Sequence, residues 1–433
     1  MNAKRELHSL RSLYTLLIVL ALPFVLLRLL WRSLKQPGYR QYLGERFGWA
    51  ANSVPQRVIW IHAVSVGEIR GSTPLTEALL SRYPQAPILL TCMTPTGRQT
   101  AKELFGNRIL LAYLPYDYPF ALKRFFARYA PCCALFVETE IWFNAFAACR
   151  SRGIPALLVN ARMSEKSAAA YRRWKPIRML THEALAGLNH VAAQSVADAE
   201  RLTALGAKSV TLTGNLKFDV NPDQTLIELG TSWRASVGAK RILLAASTRD
   251  GEEALLLEAY CHAFDKAARG KIVLVIVPRH PQRFNAVHAL IEKAGLRGER
   301  RSQSIAPASD CEVWLGDSLG EMTAYTTLCD LAFIGGSLLP LGGQNLIEAC
   351  ALGKPVLMGP SRFNFAEAAV QAEAAGALCS VPDAMALMRN VEQLFDDDTT
   401  RLRMAECARA FAAAHRGATA KTMTIIEPCL NAR

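Results

Sequence analysis

Several signatures that would commit a chain of this length to a familiar chemistry are missing. The 11 cysteines among 433 residues are scattered and odd in number, with one adjacent pair, Cys132 and Cys133, and no Cys-x-x-Cys. That pattern argues against a disulfide framework and a zinc signature, and it fits reduced thiols. There is no Gly-x-Gly-x-x-Gly and no Walker loop, which argues against NAD chemistry and nucleotide hydrolysis. No Asp-x-Asp pair follows a strand, so a divalent metal bridging a diphosphate is not indicated, and neither metal nor cofactor is expected. No nucleic-acid-binding motif accompanies the positive charge, so nucleic acid is not an expected partner. Acidic residues are the scarcer sign, 37 against 50 Lys and Arg, which leaves a formal charge of +13.

What is present is the composition of a folded α/β protein, with 51% hydrophobic residues, 27 Gly and 21 Pro. At this length two domains are the default expectation. The basic excess is localised. Residues 1–50 hold eight basic side chains (Lys4, Arg5, Arg11, Arg28, Arg32, Lys35, Arg40, Arg46) and only Glu6 and Glu45 as acids. A second cluster comprises Arg162, Lys166, Arg172, Arg173, Lys175 and Arg178.

The first cluster flanks an uncharged stretch from Ser12 to Leu27, and Leu29, Leu30 and Trp31 continue it past Arg28. A bilayer span needs about 20 apolar residues, reached here only if Arg28 snorkels to the interface. Pro23 also weakens a straight span. Arg32, Leu34 and Lys35 stand where a signal peptide would carry small residues for cleavage. The expectation is a retained membrane-anchor helix over 1–35, crossing the bilayer or lying in one leaflet. Its basic residues would meet an anionic inner-membrane surface, with the body on the cytoplasmic side.

Beyond it, apolar runs alternate with helical segments. Strands are expected at Val58–Val64, Ile88–Met93, Ile109–Leu114, Ala134–Val137, Ala156–Val159, His190–Ala193 and Val210–Thr213. After a polar stretch containing Asn221-Pro222 the beat resumes at Arg241–Ala246, Ile272–Val277, Val313–Leu315, Leu331–Ile334 and Pro355–Met358. This implies two Rossmann-like, doubly wound α/β domains with parallel sheets. The expected division is an N-terminal domain over 36–220, a linker over 221–240 and a C-terminal domain with closing helices over 241–433, leaving a cleft where two substrates can meet.

Three strings and several further strand-end loops carry candidate chemistry. Ser65-Val66-Gly67-Glu68 spells a capping box, with Ser65 at the N-cap and Glu68 reaching back to the Ser65 backbone N–H. The same carboxylate, at the carboxyl end of a first strand, is also placed to act as a general base, and Gly67 and Gly71 thin the turn for close approach. Glu138 and Glu140 are expected on one face of a strand end, where two carboxylates can bind sugar hydroxyls or shift one another's pKa. In the segment 331–357, Gly335, Gly336, Gly342 and Gly343 free the backbone to approach an anion. A helix starting near Asn345 offers amides to a phosphate, and Glu348 offers a carboxylate to ribose hydroxyls or to the helix dipole. Pro278-Arg279-His280-Pro281 pins an arginine suited to a phosphate contact, His280 being base, cap or phosphate donor. Ser247, Arg249 and the turn Asp317–Met322 occupy similar strand ends, and Lys217 and Arg249 are candidates for a substrate carboxylate.

His62–Glu68, Glu138–Trp142, Gly214–Asp219, Pro278–Pro281 and Gly359–Phe365, in this order, resemble the bacterial 3-deoxy-D-manno-octulosonic acid (Kdo) transferases. The resemblance implies a membrane-associated glycosyltransferase of the two-domain GT-B fold that moves Kdo from CMP-Kdo to the lipid A precursor (lipid IVA), inverting and metal-independent. By the same resemblance Glu68 corresponds to the catalytic base. Pro278, Arg279, Leu319, Gly320, Glu321, Asn345, Leu346, Ile347 and Glu348 correspond to the segments that bind CMP. Many members carry His at the place of Gln344 and Pro at those of Leu346 and Phe143, departures that leave Asn345 and Glu348 in position. A sugar-nucleotide epimerase of the same fold, another lipid-directed glycosyltransferase and a tethered nucleotide-binding scaffold are the alternatives.

Overall fold

A computed structural model describes residues 2–49 and 57–431. The side chains of Lys4, Arg5, Glu6 and Lys35, counted above in the basic N-terminal segment, lie outside the described residues. The chain divides into two compact units, Met1–Val220 with Arg416–Arg433, and Asn221–His415.

The first unit is built on β1 (Ile59–His62), β2 (Ile88–Cys92), β3 (Leu110–Tyr113), β4 (Cys133–Val137), β5 (Ala156–Ala161), β6 (His190–Ala193) and β7 (Val210–Leu212), all parallel in the order β3-β2-β1-β4-β5-β6-β7. The central strands are buried on both faces, so they read as continuous apolar runs rather than alternating ones. Trp60 pairs in register with Leu89 and Ala134 and packs against Phe125, Phe126 and Phe136, centroids 4.9–5.8 Å away. The strand order reverses at β1, so the turns after β1 and β4 open at the switch point where open α/β sheets take ligands.

The second unit repeats the scheme with β8 (Arg241–Thr248), β9 (Ile272–Pro278), β10 (Gly298–Arg300), β11 (Val313–Leu315), β12 (Leu331–Ile334), β13 (Val356–Met358) and β14 (Leu378–Ser380), ordered β10-β11-β9-β8-β12-β13-β14. Here the reversal falls at β8, beside β9 and β12. Two short strands, β10 and β14, were not anticipated from the apolar runs.

Three expectations change. The stretch 221–240 is no linker: Gln224–Val237 is a helix packed on the helix Met322–Leu328 of the second unit. Trp233 is fully buried there, edge-on to Trp314 at 5.0 Å and tilted on Tyr325 at 5.1 Å. The C-terminal domain does not run to 433, because the helix Ala418–Asn431 buries Thr422, Met423 and Ile426 in the first unit. Asp219 fastens its start by accepting the Gly417 and Thr419 amides at 2.6 and 2.5 Å.

The single anchor helix is also corrected. Residues 2–35 form α1 (Asn2–Leu20) and α2 (Leu22–Lys35), broken at Ala21 because Pro23 has no amide hydrogen to continue the ladder and sits instead in the first turn of α2. Among the described residues no single helix is long and apolar enough to cross a membrane; Ser9–Leu20 with Leu22–Leu34 passes by length and composition only as a pair bent by 45°. The uncharged run resolves into two stripes at helical spacing. Arg11, Tyr14, Thr15 and Ile18 bond to the body of the first unit, whereas Leu13, Leu16, Leu17 and Leu20 are exposed.

If 221–240 is structural, Gly230 must stay small, since a methyl there collides with the Ala324 carbonyl and the Thr327 side chain. Gly230→Ala is expected to destabilise the second unit by about 1–3 kcal/mol, read from the urea midpoint; a neutral result would restore the linker.

Candidate active site

After β1 the chain turns through Ala63 and Val64 into the helix Val66–Gly71. Half of the capping box forms as expected, Ser65 Oγ accepting the Glu68 amide at 3.4 Å, but the returning carboxylate takes the Ser65 hydroxyl on Oε1 at 2.9 Å and the N–H of Val64, not that of Ser65, on Oε2 at 2.7 Å. The carboxyl is nevertheless pushed up to about 7. Burial is the main cause and the charges of Glu138 and Glu140 add to it, against the pull of the Val64 and Ser65 hydrogen bonds.

Glu138 and Glu140 do come together, but not by strand alternation. β4 stops at Val137, and Glu138 takes a left-handed φ of 63° with its amide on Val159 O. A non-glycine residue in that region marks local strain held in place by its surroundings. Its carboxylate meets Lys217 Nζ at 2.7 Å. Glu140 accepts the Trp142 indole N–H at 2.8 Å and is raised by burial. His62, fully buried, lies with Nε2 4.0 Å from Glu140; burial lowers it to about 3, so the ring is neutral.

Lys217 is delivered by the 3-10 turn Leu216–Asp219, which Asn160 fixes by accepting the Leu216 amide at 3.0 Å. The Lys217 stem crosses Gly71, where a Cβ would stand 2.9 Å from Cε. The space made by Gly71 therefore admits a lysine of the same unit rather than a ligand. Asn160, itself at φ 50°, was not singled out from sequence, because its bond spans 56 residues.

In the second unit, β8 bulges at Ser247 (φ 56°) before Thr248. Gly335 passes so close to this backbone that no side chain fits. The Gly335–Leu338 loop, expected to bind an anion through its amides, is already filled. Glu252, fully buried, accepts the amides of Gly336, Ser337 and Leu338 at 2.5, 2.9 and 3.0 Å and that of Arg249 at 2.9 Å. An internal carboxylate takes the place assigned to a ligand, and nothing in Arg249-Asp250-Gly251-Glu252-Glu253 distinguishes it from a solvated helix start.

The cationic groups are better placed for an anion. Pro278 ends β9, the Arg279 amide bonds Thr248 O at 2.9 Å, and the Arg279 side chain is exposed. His280 is lowered by burial and by the charges of Arg249, Arg279 and Arg283, so three guanidinium groups share this end of the sheet. Arg283 is anchored to Asp250 and to buried Glu253. The helix near Asn345 is only Ile347–Ala351. Asn345 Oδ1 takes the Ile347 amide at 3.0 Å, and the Leu346 and Ile347 side chains are buried. Glu348 accepts from Thr323 Oγ1 at 3.0 Å, linking it to the turn in which Leu319 is exposed, Gly320 has φ 83° and Glu321 accepts from Arg301.

The comparisons with known proteins follow the same division. A family model described as 3-deoxy-D-manno-octulosonic-acid transferase (kdotransferase) matches residues 41–220, and one described as glycosyl transferases group 1 matches 262–411. The chain is 42% identical over 432 residues to a 3-deoxy-D-manno-octulosonic acid transferase of Bordetella pertussis, covering 97% of this chain and 99% of that one. It is 35% identical to the Haemophilus influenzae protein of the same name, at 97% and 99% coverage. Among solved structures, the UDP-GlcNAc 2-epimerase of Neisseria meningitidis aligns with a TM-score of 0.58 at 15% identity, over 86% of this chain and all of that one. A Rickettsia africae glycosyltransferase aligns with 0.57 at 15%, over 87% and 99%. At such identity the structural likeness speaks for the fold, two Rossmann-like units of GT-B type, and not for the reaction.

The filled loop makes its own demand. Glu252→Gln aims an amide NH2 at backbone donors, and a loss of about 2–4 kcal/mol in the stability of the second unit is expected from urea unfolding. An unchanged midpoint would show that those amides find other partners.

Proposed function

The chain belongs to the 3-deoxy-D-manno-octulosonic acid transferase family and is a glycosyltransferase, and from that premise we propose that it transfers Kdo from CMP-Kdo to a sugar hydroxyl of the lipid A precursor at the cytoplasmic face of the inner membrane. The observation that carries the catalytic part is Glu68: a carboxyl at the strand switch point held near 7, where a general base works best at neutral pH. The epimerase likeness is one of fold alone, whereas the sequence relatives named as transferases match over almost the whole chain.

In this reading Glu68 takes the proton of the acceptor hydroxyl. The resulting oxygen bonds the anomeric carbon of Kdo, and the bond from that carbon to the phosphate oxygen breaks with inversion, releasing CMP. To accept the proton Glu68 uses a carboxylate lone pair not engaged by Val64 or Ser65, or slips the cap. Lys217 offsets Glu138 and so limits the charge crowding Glu68 and Glu140. On the donor side Arg279, with Pro278, His280, Ser247 and Arg249 beside it, neutralises the leaving phosphate. The helices after Gly320 and Asn345 are seven and five residues long and carry little dipole, so the guanidinium groups take the larger share. Glu348 and Asn345 are offered to the nucleoside.

Turnover should fall as pH drops through about 7, as Glu68 takes up its proton. Glu68→Gln should lower kcat by about 10²–10⁴-fold with CMP affinity retained, and Arg279→Ala should do the reverse, weakening CMP binding measured calorimetrically. A fully active Glu68→Gln enzyme would remove the base from the mechanism.

We further propose that α1 and α2 lie in the membrane interface. Leu17, Leu20, Phe24, Leu27, Trp31 and Leu34 are each more than half exposed, Arg28 and Arg32 stand among them, and the helix Lys175–Ala186, which packs on α1, adds exposed Trp174, Lys175, Ile177 and Arg178. Sedimentation with anionic vesicles should exceed that with zwitterionic ones and weaken with salt, Arg28→Ala and Arg32→Ala each costing about fivefold in partitioning. Equal binding to both lipid types would defeat the electrostatic part.

A further inference from the structure

Asp117 is a buried carboxylate that the mechanism above does not use. It follows β3, and its Oδ1 accepts the Ala145 amide at 2.9 Å, while its Oδ2 accepts the Asn144 amide at 3.0 Å and the Tyr14 hydroxyl at 3.0 Å. Its backbone carbonyl accepts Asn144 Nδ2 at 2.7 Å. The two amides open the helix Phe143–Ser151, which has no side-chain cap of its own because Trp142 stands at its N-cap. Asp117 caps that helix from another loop, and Tyr14 of α1 supplies the third donor that a buried carboxylate needs.

The contact continues on either side of this bond. The Tyr14 ring meets Phe143 edge-on at 5.1 Å, Thr15 Oγ1 accepts from Asn144 Nδ2 at 3.1 Å, and Tyr118 donates to Ile18 O at 3.0 Å. One residue before Phe143, Trp142 donates to Glu140 and lies edge-on to His62 at 5.5 Å. An unbroken series of bonds and packed rings thus joins the N-terminal helix to the carboxylates around Glu68. A helix that served only as a tether would need no buried, directional hydrogen bond of fixed register.

We propose that Tyr14 and Asp117 are positioning residues: α1, docked through them, fixes the Glu140–Trp142 wall of the acceptor site and thereby sets turnover, separately from any hold on lipid. The kinetic part rests on the transferase reading above.

The test is Tyr14→Phe in the full chain, assayed with CMP-Kdo and a lipid A precursor in detergent micelles, where no bilayer is present. The expected result is a kcat lower by about three- to tenfold, the range of one lost hydrogen bond, with KM for CMP-Kdo unchanged. Faster amide exchange should appear at Asn144 and Ala145 but not in β1 or β4. Unchanged kcat, or unchanged exchange at those two amides, overturns the proposal. If the wild-type protein transfers no Kdo, the functional reading fails, and the exchange measurement decides the docking by itself.

Discussion

A parallel strand can leave its sheet only at the carboxyl end, and the helix that follows presents amides there that nothing in the helix can satisfy. Both units of this protein are organised around that constraint. In each, the strand order reverses at the first strand, so the turn after β1 lies next to that after β4, and the turn after β8 next to that after β12. The chain meets the demand for acceptors with carboxylates: Glu68, Asp117 and Asp198 (which accepts the Met163 amide at 2.7 Å after β5) in the first unit, Glu252 in the second, each bonded to an amide of a turn or helix start. Chemistry and capping therefore compete for the same side chains at the same places.

Glu68 and Glu252 show how one local motif is given two fates. Both follow the first strand of their unit, Glu68 after β1 ends at His62 and Glu252 after β8 ends at Thr248, and both reach back to the turn. Glu252 is surrounded by four backbone donors, three of them from a loop more than eighty residues away, and its oxygens are consumed in holding that loop. Glu68 receives one amide and one hydroxyl and faces two further carboxylates, and burial together with those two charges pushes it up to about 7. A proton acceptor near neutrality follows from this second arrangement.

This contrast also explains what could be read in advance. Apolar runs buried on both faces declare themselves, so the central strands and the parallel architecture were legible to within a residue or two. The strands β10 and β14 were not, because a short edge strand such as Gly298-Glu299-Arg300 has no apolar run to show. Asn221-Pro222 marked a real break, but the helix after it was hidden by polar residues on its exposed face, its buried side resting on Gly230 and Trp233. The cap at Glu68 was legible because its partners lie within four residues, although its backbone donor is Val64 and not the expected Ser65. The role of Glu252, the left-handed turn at Glu138 and the support from Asn160 depend on contacts far apart in sequence, and so escaped.

The N-terminal segment belongs to the same account. An uncharged stretch reads as a span when hydropathy is averaged along it, but averaging erases direction. Tyr14 and Thr15 spend their hydroxyls on Asp117 and Asn144, with Arg11 one turn before them and Ile18 one turn after, and this stripe is committed to protein. Were α1 to cross a bilayer as part of a straight helix, those polar groups would have to leave partners that hold them in a buried site, and Asp117 would lose its third donor. The break at Ala21 removes the conflict. It lets α1 keep one face on the first unit while the apolar side chains and arginines of α2 stay exposed.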